Sequence, residues 1–296
     1  MPEGDNIFRT ARTLQKALGG KTVTAFETAL AALARVNDES PIVARTVDRV
    51  ESRGKWCLIF FSGDLILATH MRMSGSWHIY RPGERWQIRR NRMRVAITCG
   101  DFQTVAFDVP VAEFLTSRSL ARHQEIARLG PDILDSGFTA EQGIAALRSW
   151  AASHPDDEVG NALLNQRVLA GLGNVYKSEV AFAAGVHPFR RLSTLTQREI
   201  QSLLDFANRY MRENVRDNAD PGRRTTNSMN REERLWVYGR QGKECRRCGA
   251  IIAMRRQGQG ARSTWWCPSC QPWVPGRGQS AEAPLGKETR PARNSR

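Results

Sequence analysis

Between residues 6 and 18 the apolar positions fall at Ile7, Phe8, Ala11, Leu14, Ala17 and Leu18, a spacing that gathers them on one helical face. Gly19-Gly20 supplies the stop, so Pro2 and Glu3 stand at the entrance of a buried helix. From about 21 to 115 the period shortens. The runs KTVTAFE, WCLIFF, DLILATH, SWHIY, RMRVAIT and FQTVAF alternate with turn residues, and SGD at 62–64 and CGD at 99–101 read as hairpin breaks. Short strands at this spacing predict an antiparallel β-sandwich. From about 139 the pattern is helical again, with capping boxes at Thr139/Gln142 and Thr196/Glu199, and helices are expected over about 139–151, 157–168, 174–184 and 196–214. Near the C-terminus 251–254 and 263–266 read as two short strands joined by the turn QGQG. The expected fold is α+β and two-lobed: an N-terminal helix with an antiparallel β-sandwich (1–125), a helical lobe (126–237), a small cysteine-rich module (238–273) and a disordered basic tail (274–296).

Composition narrows the setting. Hydrophobic residues make up 41% of the 296, enough for real cores. The longest apolar runs fall far short of the roughly 18 residues of a membrane helix. The polar start MPEGDNIFR lacks the apolar stretch of a signal peptide, which predicts a cytosolic protein away from membranes. Lys and Arg number 44 against 30 Asp and Glu, for a net charge of +14, and a polyanion such as nucleic acid is the natural partner. Only six of those 44 are Lys, an arginine bias that GC-rich coding alone also produces.

Four of the six cysteines lie in one window, Cys245 and Cys248, then Cys267 and Cys270. Two Cys-x2-Cys knuckles so close suit one tetrahedral structural Zn2+; a pair of disulfides is the alternative, which a cytosolic compartment disfavours. Cys57 and Cys99 lie within strand-like runs and read as small core residues.

Four further features carry potential chemistry. Once an initiator Met ahead of the small Pro2 is removed, the free α-amino group is a secondary amine whose ordinary pKa, near 8, leaves roughly a tenth unprotonated at neutral pH. That makes it a nucleophile, with Glu3 beside it as a proton shuttle; an ordinary helix entrance is the alternative. In Ser52-Arg53-Gly54-Lys55, Gly54 permits close approach of backbone and Lys55 aims a compact cation at a phosphate, unless it is a solvated turn lysine. In the segment 169–176, LAGLGNVY, Gly171 and Gly173 permit tight turns, and Asn174 stands at a helix N-terminus, a site for an anion or an ordinary N-cap. Arg262, placed in the turn of the cysteine-rich module, reads as a phosphate contact or a solvated side chain.

Taken in order, MPEG, SRGK, HMRMSGSW at 70–77, LGPDIL at 129–134, NQRVLAGLGNVYKSEVAFAAGVHP at 165–188 and the paired knuckles resemble the formamidopyrimidine-DNA glycosylase and endonuclease VIII family of base-excision repair enzymes. The resemblance covers about residues 2–272 and implies a helix-two-turn-helix lobe, a zinc finger and DNA bound between two lobes. It implies a bifunctional DNA glycosylase with AP lyase activity, in which Pro2 forms a Schiff base and Glu3 is the general acid. Lys55 is then assigned to phosphate contact and β-elimination, Asn174 to phosphate binding, and Arg262 to phosphate contact and δ-elimination. Met73 resembles the wedge that fills the space of an everted base, with β-core packing as its alternative; Arg72 would reach the orphaned base and Arg128 the DNA. Where the purine-directed branch carries an Arg- and Phe-bearing loop, this chain reads Phe107-Asp108-Val109-Pro110-Val111-Ala112-Glu113, closer to bacterial endonuclease VIII-like members. The expected substrate is double-stranded DNA with oxidised pyrimidines or abasic sites, acted on by a monomer. An 8-oxoguanine-directed glycosylase and a noncatalytic damaged-DNA binder of the same fold are the alternatives.

Overall fold

The computed structural model describes residues 2–216 and 222–275; most of the predicted basic tail lies outside them. The chain divides into two compact units, one through Leu129 and one from Gly130.

In the first unit, α1 (Gly4–Leu18) buries Ile7, Ala11, Leu14, Ala17 and Leu18, while Phe8 is only half-buried. Eight strands follow: β1 (Ala25–Thr28), β2 (Val47–Arg53), β3 (Trp56–Phe61), β4 (Leu65–His70), β5 (Ser76–Tyr80), β6 (Met93–Cys99), β7 (Phe102–Phe107) and β8 (Val111–Leu115). They form two four-stranded antiparallel sheets, in the orders β1-β6-β7-β5 and β2-β3-β4-β8. One core joins α1 to Ile59 and Leu67 of one sheet and Ile97 and Ala106 of the other. WCLIFF has no polar position because its second face is covered too: Trp56, Leu58 and Phe60 pack with Leu120 and Ile126 from the chain after β8. Leu129 packs on the same cluster, so the first unit extends past the expected boundary at 125. Cys57 and Cys99 are fully buried, and burial pushes their thiols up to about 12 and about 11.

Within the region expected to be all β, 31–39 forms α2 (Ala31–Glu39), which buries only Leu33. A further short helix, α3 (Ser117–Ala121), starts at a capping box formed by Thr116 and Ser119.

The second unit holds α4 (Ala140–Ser153), α5 (Val159–Leu164), α6 (Asn174–Ala183) and α7 (Gln197–Asn214), and both predicted capping boxes are formed. The helix expected over 157–168 stops at Leu164. Asn165 turns the chain out of it by accepting the Arg167 amide at 3.0 Å on its side chain. The helix α6 is buried on every side from Asn174 to Phe182 and packs against α5, α7 and the last strand. A two-stranded ribbon ends the described chain, β9 (Ala253–Gln257) and β10 (Arg262–Trp266). The first of these starts later than the expected 251–254 and runs further, since Ile251 makes a separate bridge to Glu244. Among the described residues no helix is long and apolar enough to cross a membrane.

Candidate functional site

In the first unit, Glu3 is the N-cap of α1, in a capping box with Asn6, and is 1% exposed; Pro2, just before it, is half-buried. A carboxylate so placed is fixed by the helix start, and its neighbour α1 packs on β2 and β3. Lys55 lies in the two-residue loop between those strands, preceded by Gly54 at φ +58°. Positive φ at the first loop position is the requirement of a tight hairpin turn, so the glycine sets the direction in which the lysine leaves the sheet.

The loop from β4 to β5 carries Arg72 and Met73. Arg72 adopts φ +48°, in the left-handed region that a side chain disfavours. Its amide donates to Nδ1 of His70 at 3.1 Å, and its guanidinium reaches Glu125 at 3.3 Å. These two contacts hold a backbone conformation that would otherwise relax. The first needs His70 Nδ1 free to accept, as in a neutral imidazole, and the His70 pKa is lowered to about 4, first by burial and then by the charge of Arg72, with Lys55 adding to it. The structure thus gathers Lys55, Arg72 and Glu125 around one imidazole that sequence reasoning did not single out. Met73 is 62% exposed and outside every strand, which excludes the core alternative. Arg128 is exposed at the end of a 3-10 turn (Ile126–Arg128).

In the second unit, 165–173 makes the turns between α5 and α6, with Gly171 at φ +92°. Gly173 is the N-cap, so Asn174 is the first helical residue and not the cap. One amide hydrogen of Asn174 is engaged within the protein, donated by Nδ2 to the Ser263 carbonyl at 3.0 Å. Arg262 is exposed and, instead of lying inside the turn, opens β10 opposite Gln257.

The four cysteines of the knuckles lie together, all four Sγ atoms within 4.8 Å of one another. Cys245 and Cys270 are separated by 3.9 Å and Cys248 and Cys267 by 3.5 Å. Sulfurs at the corners of a tetrahedron with Zn–S bonds of about 2.3 Å stand about 3.8 Å apart, so the donor set fits Zn2+ in number, chemistry and spacing. The exposed Cys248 thiol is drawn down to about 7, chiefly by the Ala250 amide, while burial raises Cys267 and Cys270. This is a closed, all-thiolate structural site. The approach to the finger is fixed by Glu179, fully buried in α6, whose carboxylate accepts the amides of Trp236, Val237 and Tyr238 at 2.8–2.9 Å and the Thr225 hydroxyl. Burial raises its pKa, against those hydrogen bonds. A lone Glu inside a helical run gives no sequence signal for such a role.

Three family models match in chain order: the formamidopyrimidine-DNA glycosylase N-terminal domain over residues 1–110, the H2TH domain of the same glycosylase over 129–225, and the zinc finger found in FPG and IleRS over 242–272. Over 274 residues the chain is 37% identical to a probable endonuclease 8 2 of Streptomyces coelicolor, covering 92% of this chain and 94% of that one. The chain belongs to the formamidopyrimidine-DNA glycosylase and endonuclease 8 family. A DNA-(apurinic or apyrimidinic site) lyase of Mycolicibacterium smegmatis is 36% identical, with 92% and 99% of the two chains covered. The solved Lactococcus lactis Fpg in complex with abasic-site DNA shares the fold of this family member, with a TM-score of 0.76 at 24% identity over 92% of this chain and 100% of that one. The fold class and the zinc finger read from the sequence are therefore both found.

Proposed function

We propose that this member of the family is a bifunctional DNA glycosylase and AP lyase of base-excision repair that removes oxidised pyrimidines through an N-terminal proline Schiff base. The observation that carries the reading is Glu3, a carboxylate 1% exposed at the start of α1, directly beside the residue whose amine becomes free when Met1 is removed. It places a carboxyl group that can exchange a proton next to the nucleophile, away from bulk water.

In this reading the neutral Pro2 amine attacks C1′ of the damaged nucleotide. The N–C1′ bond forms as the C1′–base bond breaks; the electron pair leaves with the base, which takes up the proton that the alkylated amine gives up. The ring oxygen then leaves C1′, taking a proton from Glu3, and the product is an open-chain iminium. The iminium acidifies C2′; loss of that proton expels the 3′-phosphate in β-elimination, with Lys55 against the phosphate. A second elimination at the 5′ side follows, assigned to Arg262, while Asn174 and Arg128 hold the backbone. Zn2+ takes no part in these steps; its four thiolates, Cys245, Cys248, Cys267 and Cys270, hold the ribbon that presents Arg262.

Preference for pyrimidines is supported by the short connection from β7 to β8. It consists of residues 108–110, and its Asp108, at φ +49°, is paired with Arg92. A three-residue link has no room for the Arg- and Phe-bearing loop of the purine-directed branch. Ring-saturated pyrimidines stack poorly and are everted at lower cost, with the exposed Met73 entering the gap and Arg72 meeting the orphaned base. The test is single-turnover cleavage of matched duplexes carrying thymine glycol, dihydrouracil, 8-oxoguanine or an abasic site. The pyrimidine lesions and the abasic site should be processed fastest; 8-oxoguanine opposite cytosine outpacing them would reverse the preference.

A further inference from the structure

Lys177, on α6, is 1% exposed, and its surroundings are polar. Its Nζ donates to the Thr264 hydroxyl at 2.6 Å and lies 3.3 Å from the Ser263 carbonyl, the same oxygen that Asn174 meets at 3.0 Å. The chain of contacts continues inward. Thr264 Oγ1 donates to Gln257 Oε1 at 2.8 Å, and Gln257 Nε2 donates to Glu158 at 2.7 Å and to the Pro188 carbonyl at 2.8 Å. Thr264 is fully buried and Gln257 nearly so, and a side chain at Gly160 would occupy the space of the Gln257 amide. A buried Lys costs desolvation, which a hydrophobic residue of similar size would avoid. What the Lys supplies here is direction: two donors from one helix converge on the Ser263 carbonyl, in the residue next to Arg262.

We infer that Lys177 is a positioning residue for Arg262, acting through Ser263 and Thr264 to set the first residue of β10 at the angle its phosphate contact needs. The inference rests on the reading that Arg262 promotes the second elimination, and its test is arranged so that the two can fail separately. Full-length, zinc-loaded Lys177→Met, Arg262→Ala and the double variant are compared on an abasic-site duplex by borohydride trapping and by the ratio of δ- to β-elimination product.

Lys177→Met should keep zinc and trapping while the ratio falls ~10-fold, the scale on which misplacement of a catalytic group by a fraction of an ångström is felt. The double variant should be no worse than Arg262→Ala, because the two changes remove one effect. Lys177→Arg, which restores a donor, should recover most of the ratio, as a purely stabilising role would not require. A normal ratio in Lys177→Met, or losses that add in the double variant, would overturn the inference and leave the Arg262 reading standing. A normal ratio in Arg262→Ala would overturn both. Should Lys177→Met not fold, Thr264→Val removes the linking hydroxyl at constant volume and carries the same expectations.

Discussion

At the scale of single residues, the feature that most constrains function is a backbone held against its preference. Arg72 sits at φ +48° because His70 accepts its amide and Glu125 its guanidinium, and the next residue, Met73, is thereby turned out to 62% exposure. A thioether kept in water is unfavourable unless it meets something apolar, and a vacated base stack is such a partner. Met73→Ala should slow excision from duplex DNA by about tenfold, the worth of a stacking contact of ~1–3 kcal/mol, while cleavage of a preformed abasic site changes less. Single-turnover rates on the two substrates check this; equal losses on both would make Met73 a general binding residue. The sequence HMRMSGSW shows the Met but not the strain, because a positive φ at a non-glycine has no composition signal and here accompanies a side-chain contact of the Arg72 amide to His70.

At the scale of elements, legibility followed burial on one face. The helix α1 and the capped helices α4 and α7 each bury a stripe and expose the rest, so a 3.6-residue period marks them. Less of the pattern was visible in α2, with one buried residue, and in β2, where VDRVESR buries only Val47 and Val50 and a register shift interrupts the pairing. The helix α6 is buried all round, so its sequence carries no amphipathic signal, and polar residues such as Lys177 and Glu179 look exposed until the structure places them. Two element-scale expectations follow. Thr196→Ala removes the hydroxyl that accepts the Glu199 amide at 3.2 Å and should destabilise α7 by about 1 kcal/mol in denaturant titration. Cys248→Ser, or chelation of the metal, should release zinc and weaken DNA binding while the first unit keeps its β-sheet signal; metal analysis and circular dichroism read both, and a reduced wild type without zinc would contradict the site.

At the scale of the whole molecule, each unit contains an imidazole with a lowered pKa, half-buried His70 in the first and buried His187 in the second. His70 and His187 are both held at about 4, against 6.5 when exposed, with burial as the leading cause. Between those values the unfolded chain binds more protons than the folded one. Stability is therefore complete above pH 6.5 and is lost progressively as pH falls toward 4. Urea unfolding at a series of pH values should show this slope, and His70→Asn, which keeps an acceptor for the Arg72 amide without titrating, should remove the His70 share and leave that of His187; no decline below pH 6.5 would contradict the account. The net charge of +14 adds a steep loss of DNA affinity with rising salt that should be common to damaged and undamaged duplexes. The proposed chemistry turns on the amine of Pro2 as the nucleophile. The direct measurement is borohydride trapping on an abasic-site duplex with the mature N-terminus, with Met1 retained or an N-terminal tag attached, and with Pro2→Gly. The mature protein should cross-link, Pro2→Gly should keep part of that ability because it keeps an amine, and the blocked proteins should bind DNA without cross-linking. Undiminished cross-linking by a blocked protein would place the nucleophile elsewhere and contradict the account.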